Sequence, residues 1–240
     1  MKKLYEKSEI TFAIAWIMAY VFSLSLGDNL SETVGIEKAA TFPIALLLGV
    51  VLFLFLKNNG LLEAYGLCKA KVPARKMLFY IPVVLMLTTN LMFGMGLYIS
   101  AIEAILYALT MLCVGFLEEV IFRGLLFNAM RKDGVKSAII VSSLTFGMGH
   151  IVNLFNGSGT ELLPNLLQVV YATAAGFMFV MIYYKSKSLW VCIVAHGVFN
   201  ALSIFVNESA VTDSMRLLSC LFLIVVCGGY GLYLTKVETE

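Results

Sequence analysis

The chain has two histidines, and each lies with another polar or aromatic side chain inside an otherwise apolar run. One closes Phe146-Gly-Met-Gly-His150 and the other opens His196-Gly-Val-Phe-Asn200. A third polar group is Glu118-Glu119-Val-Ile-Phe-Arg123, also within an apolar run. A carboxylate beside an imidazole can hold and deprotonate a water molecule. A second imidazole with a carboxamide offers donors to a developing oxyanion. Together they suffice to hydrolyse an amide without a covalent intermediate, and Arg123 would counter the desolvation of a buried carboxylate.

Spacing says which of these side chains share a face. Glu119 and Arg123 are four apart on a helix and are expected to form an ion pair. Glu118 points about 100° away from Glu119, free for another task. His196 and Asn200 are again four apart, and Phe146 lies one turn below His150, where it can wall a site. Other residues invite blander readings. Asn90, Asn153 and Gln168 suit packing or capping, and Glu103 suits the membrane interface. A single buried Glu–Arg pair often only ties helices together, and a lone membrane histidine often only bonds a neighbouring helix. Two histidines, a second glutamate and an asparagine at one level exceed what that account needs.

The elements that carry these residues follow from composition. Of 240 residues 60% are hydrophobic and 13% charged, with a mean hydropathy of +0.92, whereas soluble domains carry roughly 25% charge. A surface so apolar must face lipid. The length fits one helical domain, residues 1–240, without a separate soluble catalytic module. A net charge of +2 gives no support to nucleic-acid binding. The five cysteines, Cys68, Cys113, Cys192, Cys220 and Cys227, are odd in number and scattered, which suits packing rather than disulfides or zinc. The basic Met1–Lys7 segment and the apolar run after it read as a retained first helix rather than a cleaved signal.

Apolar runs of spanning length predict an all-α, polytopic membrane protein of about eight transmembrane helices near 10–27, 39–56, 77–96, 98–128, 136–154, 163–184, 188–206 and 214–234. The fourth exceeds one crossing and is expected to tilt, kink near Gly115 or run past the bilayer surface. With the N-terminus cytoplasmic, one side collects fourteen Lys and Arg, from Lys2 to Lys236, and the other only Lys38 and Arg216. That bias places both termini in the cytoplasm. The loop at 157–159, Gly-Ser-Gly, reads as plain connection. Counting from the cytoplasmic charges, Glu118 lies thirteen residues from Arg131, His150 fourteen from Lys136 and Asn200 thirteen from Lys187. At 1.5 Å per residue each sits roughly 20 Å along its own helix, so three helices bring polar groups to one level.

Other intramembrane protease chemistries lack their residues. The aspartates Asp28, Asp133 and Asp213 are expected in loops, no His-Glu-x-x-His occurs, and Ser158 has no nucleophile-elbow pattern around it. The three motifs, in this order on successive membrane helices, resemble the CPBP family, which contains the CAAX prenyl endopeptidases and the bacteriocin-processing or bacteriocin-immunity (Abi) proteins of bacteria. The matching stretch is 98–206. The resemblance implies that Glu118 is the general base, that His150 helps it activate water, and that His196 and Asn200 stabilise the oxyanion. Glu119 and Arg123 match the remaining positions as orienting and charge-balancing groups.

The family has been described both as metal-dependent and as metal-free. The metal-free version is favoured here, with no cofactor. If zinc is present, Glu118, His150 and His196 are its candidate ligands. The leading reading is an intramembrane endopeptidase acting on a membrane-associated peptide or small-protein tail near the cytoplasmic side. Short loops and the lack of a targeting extension look like the bacterial branch, in the plasma membrane. The competing reading is a non-catalytic membrane scaffold or bacteriocin-immunity factor that binds a partner. A transporter has less support, since no repeat or broken-helix pair is evident. Oligomeric state is open, although Gly228, Gly229 and Gly231 would let the last helix pack closely.

Overall fold

A computed structural model describes residues 1–156 and 160–238, so the 157–159 loop lies outside the described residues. Among the described residues there are helices and no strands. Six helices are long and apolar enough to cross a membrane: α1 (Glu9–Val34), α2 (Thr41–Asn58), α4 (Ala101–Met130), α5 (Val135–Leu154), α6 (Leu162–Ser186) and α8 (Asp213–Lys236). Two shorter apolar helices, α3 (Tyr80–Phe93) and α7 (Trp190–Phe205), stand at the third and seventh expected positions. The expected polytopic helical architecture is therefore what the chain forms. Exposed large apolar side chains such as Phe22, Leu47, Ile102 and Val225 cover its outside, a surface suited to hydrocarbon rather than water.

Local chemistry sets several helix starts. The Ser8 hydroxyl accepts the Thr11 N–H at the start of α1, and Thr212 does the same for Met215 at α8. Ser100 and Glu103 form a reciprocal capping box at α4, which gives Glu103 a structural task at the helix end. At its other end α1 runs on to Val34, past the apolar stretch, and stops at Gly35 in the left-handed conformation (φ 74°).

Asp28 is consequently on α1, not in a loop as its polar surroundings suggest. There it accepts bonds from Lys38 Nζ (2.8 Å) and Thr41 Oγ1 (2.7 Å), which join the ends of α1 and α2. Burial alone would pull the Lys38 ammonium below its ordinary value. Asp28 outweighs that by charge and hydrogen bond, and the pKa lies above the usual lysine range.

Buried side chains from all eight helices form one cluster. Within it α5 lies along α6, and α7 along α4. Close approach rests on glycine: a Cβ on Gly115 would meet the Gly197 backbone nitrogen at 2.6 Å, and one on Gly147 would meet Val169 O at 2.7 Å. Gly115 is thus a contact point between α4 and α7. The departure from α geometry comes later, where Glu119–Phe127 forms a buried π-helical segment. In the last helix Gly231 meets Phe177, while Gly228 and Gly229 face open space. Cys192, Cys220 and Cys227 are buried packing groups, and all five thiols are free.

Candidate active site

The π segment of α4 begins at the residues that carry charge. Helices widened in this way are rare and recur at functional sites, because the wider turn brings neighbouring side chains closer in angle. Here Glu118 ends the α-helical part and Glu119 starts the wide part. Both carboxylates reach the same imidazole. His196 Nδ1 is 2.9 Å from Glu119 Oε1, and His196 Nε2 is 3.3 Å from Glu118 Oε2. The first is a hydrogen bond, and the second is a close approach without hydrogen-bond alignment. Donation to both carboxylates takes two ring protons, and a neutral imidazole has one.

Glu119 and Arg123 form the ion pair their spacing predicts: Nη1 donates to Oε1 over 3.1 Å, with both side chains fully buried. One Glu119 oxygen therefore serves Arg123 and His196 together. Among the described residues, Glu119 Oε2 and the Nε and Nη2 atoms of Arg123 have no hydrogen-bond partner. The guanidinium rests instead on aromatic faces, with its central carbon 4.1 Å from the Phe146 centroid and 5.7 Å from that of Phe179. Room for it comes from Gly176 on α6, whose missing Cβ would lie 3.1 Å from Nη2.

Phe146 is the hinge of the cluster and does wall the site. Both imidazoles meet it edge to face, His150 at 5.6 Å and His196 at 5.5 Å. Phe179 stacks on the other side of His196 at 5.7 Å and 24°, so that ring is held from two directions. His150 lies where α5 tightens to a 3-10 turn, and its carbonyl accepts the Asn165 amide (2.8 Å). It lies within electrostatic reach of Glu118, His196 and Arg123.

A cavity of about 40 Å³ joins Phe146, His150, His196 and Asn200, with Met86 of α3 and Gln168 of α6 on its walls. That is room for about two water molecules. A peptide does not fit while the helices stand as they do. A larger recess of about 400 Å³ lies between α2 and α4 and is walled by apolar groups such as Phe42, Phe53 and Phe116. None of the clustered polar residues lines it, so it is a lipid-facing seam and not the site.

All seven residues singled out from the sequence thus gather in one region. They do not pair as expected. His196, not His150, is the imidazole in contact with Glu118, because the turn of α7 sets its ring between the two carboxylates. Glu118 itself is not among the cavity-lining residues. It touches the cavity through His196. The supposed zinc ligands Glu118, His150 and His196 do not form a metal-holding group among the described residues. Zinc needs three or four converging donors, and this arrangement does not fit it. Asn90 is tied to the Phe199 carbonyl (2.6 Å), and Asn153 donates to Gln168 (3.2 Å).

Sequence reasoning missed Tyr20. Its hydroxyl donates to Glu118 Oε1 over 2.7 Å from the buried face of α1. A signal was available: Tyr20 lies thirteen residues beyond Lys7, the same depth count that grouped the other residues.

Comparison with known proteins bears on residues 99–202, which match the family model described as "Rce1-like: Type II CAAX prenyl endopeptidase Rce1-like". A Bacillus subtilis (strain 168) protein named "Putative membrane peptidase YdiL" is 28% identical over 113 residues, which covers 47% of this chain and 41% of that protein. No solved structure matches. The family match spans the three motifs in α4, α5 and α7 that carry the cluster, which is less than half of the chain, and the likeness to the CPBP family of membrane proteases holds over those helices.

Proposed function

We propose that the protein is an intramembrane endopeptidase that hydrolyses a peptide bond in a membrane-associated peptide or small-protein tail, using water activated by Glu118 and His150. The observation that carries this reading is the shared cavity. It is polar on one wall, large enough for water, and lined by both imidazoles and Asn200. Once the cavity walls part to admit substrate and open the cavity to Glu118, water adds its oxygen to the carbonyl carbon while its proton passes to Glu118, oriented by His150. The tetrahedral oxyanion then accepts hydrogen bonds from His196 and the Asn200 amide. The proton held by Glu118 goes to the departing nitrogen as the C–N bond breaks, which restores the carboxylate. Glu119, fixed by Arg123, holds His196 in orientation through Nδ1, and Phe146 and Phe179 keep its ring from turning.

The substrate must enter by a movement of the cavity walls, for which the short helices α3 and α7 are suited. A bacterial plasma membrane, with peptide precursors as substrates, is the setting this reading favours.

One observation favours a second reading. The Glu119–Arg123–His196 network joins α4 to α7, as a cluster that only ties helices together would. A non-catalytic scaffold or immunity factor would need no more than that. Comparative peptidomics of cells carrying the wild type or Glu118→Gln separates the two. The endopeptidase reading expects one or more precursor peptides to accumulate uncleaved in the Glu118→Gln cells at equal protein level. Unaltered processing, with loss only of thermal stability, would establish the scaffold instead.

A further inference from the structure

We propose that Tyr20 is a positioning residue that holds Glu118 for its reaction, so that the first helix completes a site whose other parts lie in α4 to α7. The inference rests on the endopeptidase reading above and deepens it.

Its basis is the two ends of one carboxylate. Glu118 Oε1 accepts the Tyr20 hydroxyl at 2.7 Å, the short separation of a charge-assisted O–H···O bond. Glu118 Oε2 turns to the His196 edge at 3.3 Å and has no aligned donor. Anchoring one oxygen leaves the other as the single basic oxygen on the imidazole side. Without the anchor, the carboxylate can rotate about its terminal torsion, which has no strong staggered preference. The other charged or titratable groups around Glu118 are Glu119 and Arg123 on its own helix, His150 on α5 and His196 on α7. Of these, none donates to Oε1 among the described residues.

Tyr20 is held to its task by its helix. Phe12, Trp16 and Tyr20 recur every four residues on the buried face of α1, and α1 packs on the π segment that follows Glu118. The phenol thus approaches from a helix outside the segment that matches the family model. It touches neither the cavity nor Asn200, which makes its effect on the reaction one exerted through Glu118.

The test needs a readout that loss of packing would not move. Infrared difference spectra between the wild type and Glu118→Gln, in detergent, isolate the Glu118 carboxyl band. The same difference taken in a Tyr20→Phe background shows whether that band shifts. Cleavage is measured on a synthetic copy of the peptide that accumulates in Glu118→Gln cells. The expected result is a shifted band and kcat lowered about tenfold, one lost charge-assisted bond, with KM unchanged. An unmoved band, or a shifted band with full turnover, overturns the proposal. If Tyr20→Phe does not fold, 3-fluorotyrosine at position 20 keeps the ring and strengthens the donor, and the band must then move in the opposite sense to loss of the bond; an unmoved band overturns the proposal here too. Cleavage that persists in Glu118→Gln would instead overturn the endopeptidase reading, whatever Tyr20 does.

Discussion

At the scale of single residues, the cluster is a set of buried charges that tolerate one another because each is shared. Glu119 Oε1 accepts a hydrogen bond from Arg123 and lies within hydrogen-bond distance of His196 Nδ1 at once, and Arg123 spreads its remaining charge over two rings. A buried ion pair in apolar surroundings is a poor source of net stability, yet removing one partner strands the other. Arg123→Leu should therefore lower unfolding stability by about 3–5 kcal/mol. The double variant Glu119→Gln with Arg123→Met should recover part of that loss, since it leaves no orphaned charge. Thermal unfolding in one detergent checks both. An Arg123→Leu protein as stable as the wild type would mean that Glu119 finds another partner.

At the scale of elements, two devices bring these residues together. The first is close approach at glycine, which lets α4 meet α7 and α5 meet α6. The second is the widened turn of α4 after Glu118. Gly115→Val should separate α4 from α7 and cost about 1–3 kcal/mol, because the atoms it meets are backbone and cannot rotate aside. Gly229→Ala meets nothing within 4 Å and should be neutral or slightly stabilising, by up to about 1 kcal/mol. Melting curves of the two variants side by side decide it, and equal losses would refute the contact. The short helices matter as well. At 1.5 Å per residue α3 and α7 are only about 21 and 24 Å long, against about 30 Å of hydrocarbon. Both end in 3-10 turns and both line the cavity, so the bilayer beside the site must thin or the helix ends must be covered.

At the scale of the whole molecule, six helices of spanning length and two shorter apolar ones would, if each crosses, return the chain to the side where it began. On that eight-crossing arrangement the charge asymmetry of fourteen cationic residues against two would assign that side to the cytoplasm. Alkaline phosphatase fused after α8 should be inactive, and the same enzyme inserted near Lys38 should be active. Activity at the C-terminal fusion would invert or break the arrangement. The Asp28–Lys38–Thr41 cluster belongs to this scale too, since it closes the first hairpin at the face opposite the basic one.

The eight apolar helices, their order and the gathering of Glu118, His150 and Asn200 in one region were legible in the sequence, because hydrocarbon admits few polar atoms and so makes every exception conspicuous. The Glu119–Arg123 pair was legible for a simpler reason: it is local, and helical periodicity alone brings the two together. The tertiary structure decided the rest. That His196 stands between two adjacent carboxylates depends on how α7 is rotated against α4, which the Gly115–Gly197 contact governs and no periodicity within either helix reports. Tyr20 is the clearest case. Its polar tip reads as ordinary on a lipid-facing helix, and its partner is 98 positions away. Hydrogen bonds between distant segments are set by packing, whereas the pattern along one segment records only which face is buried.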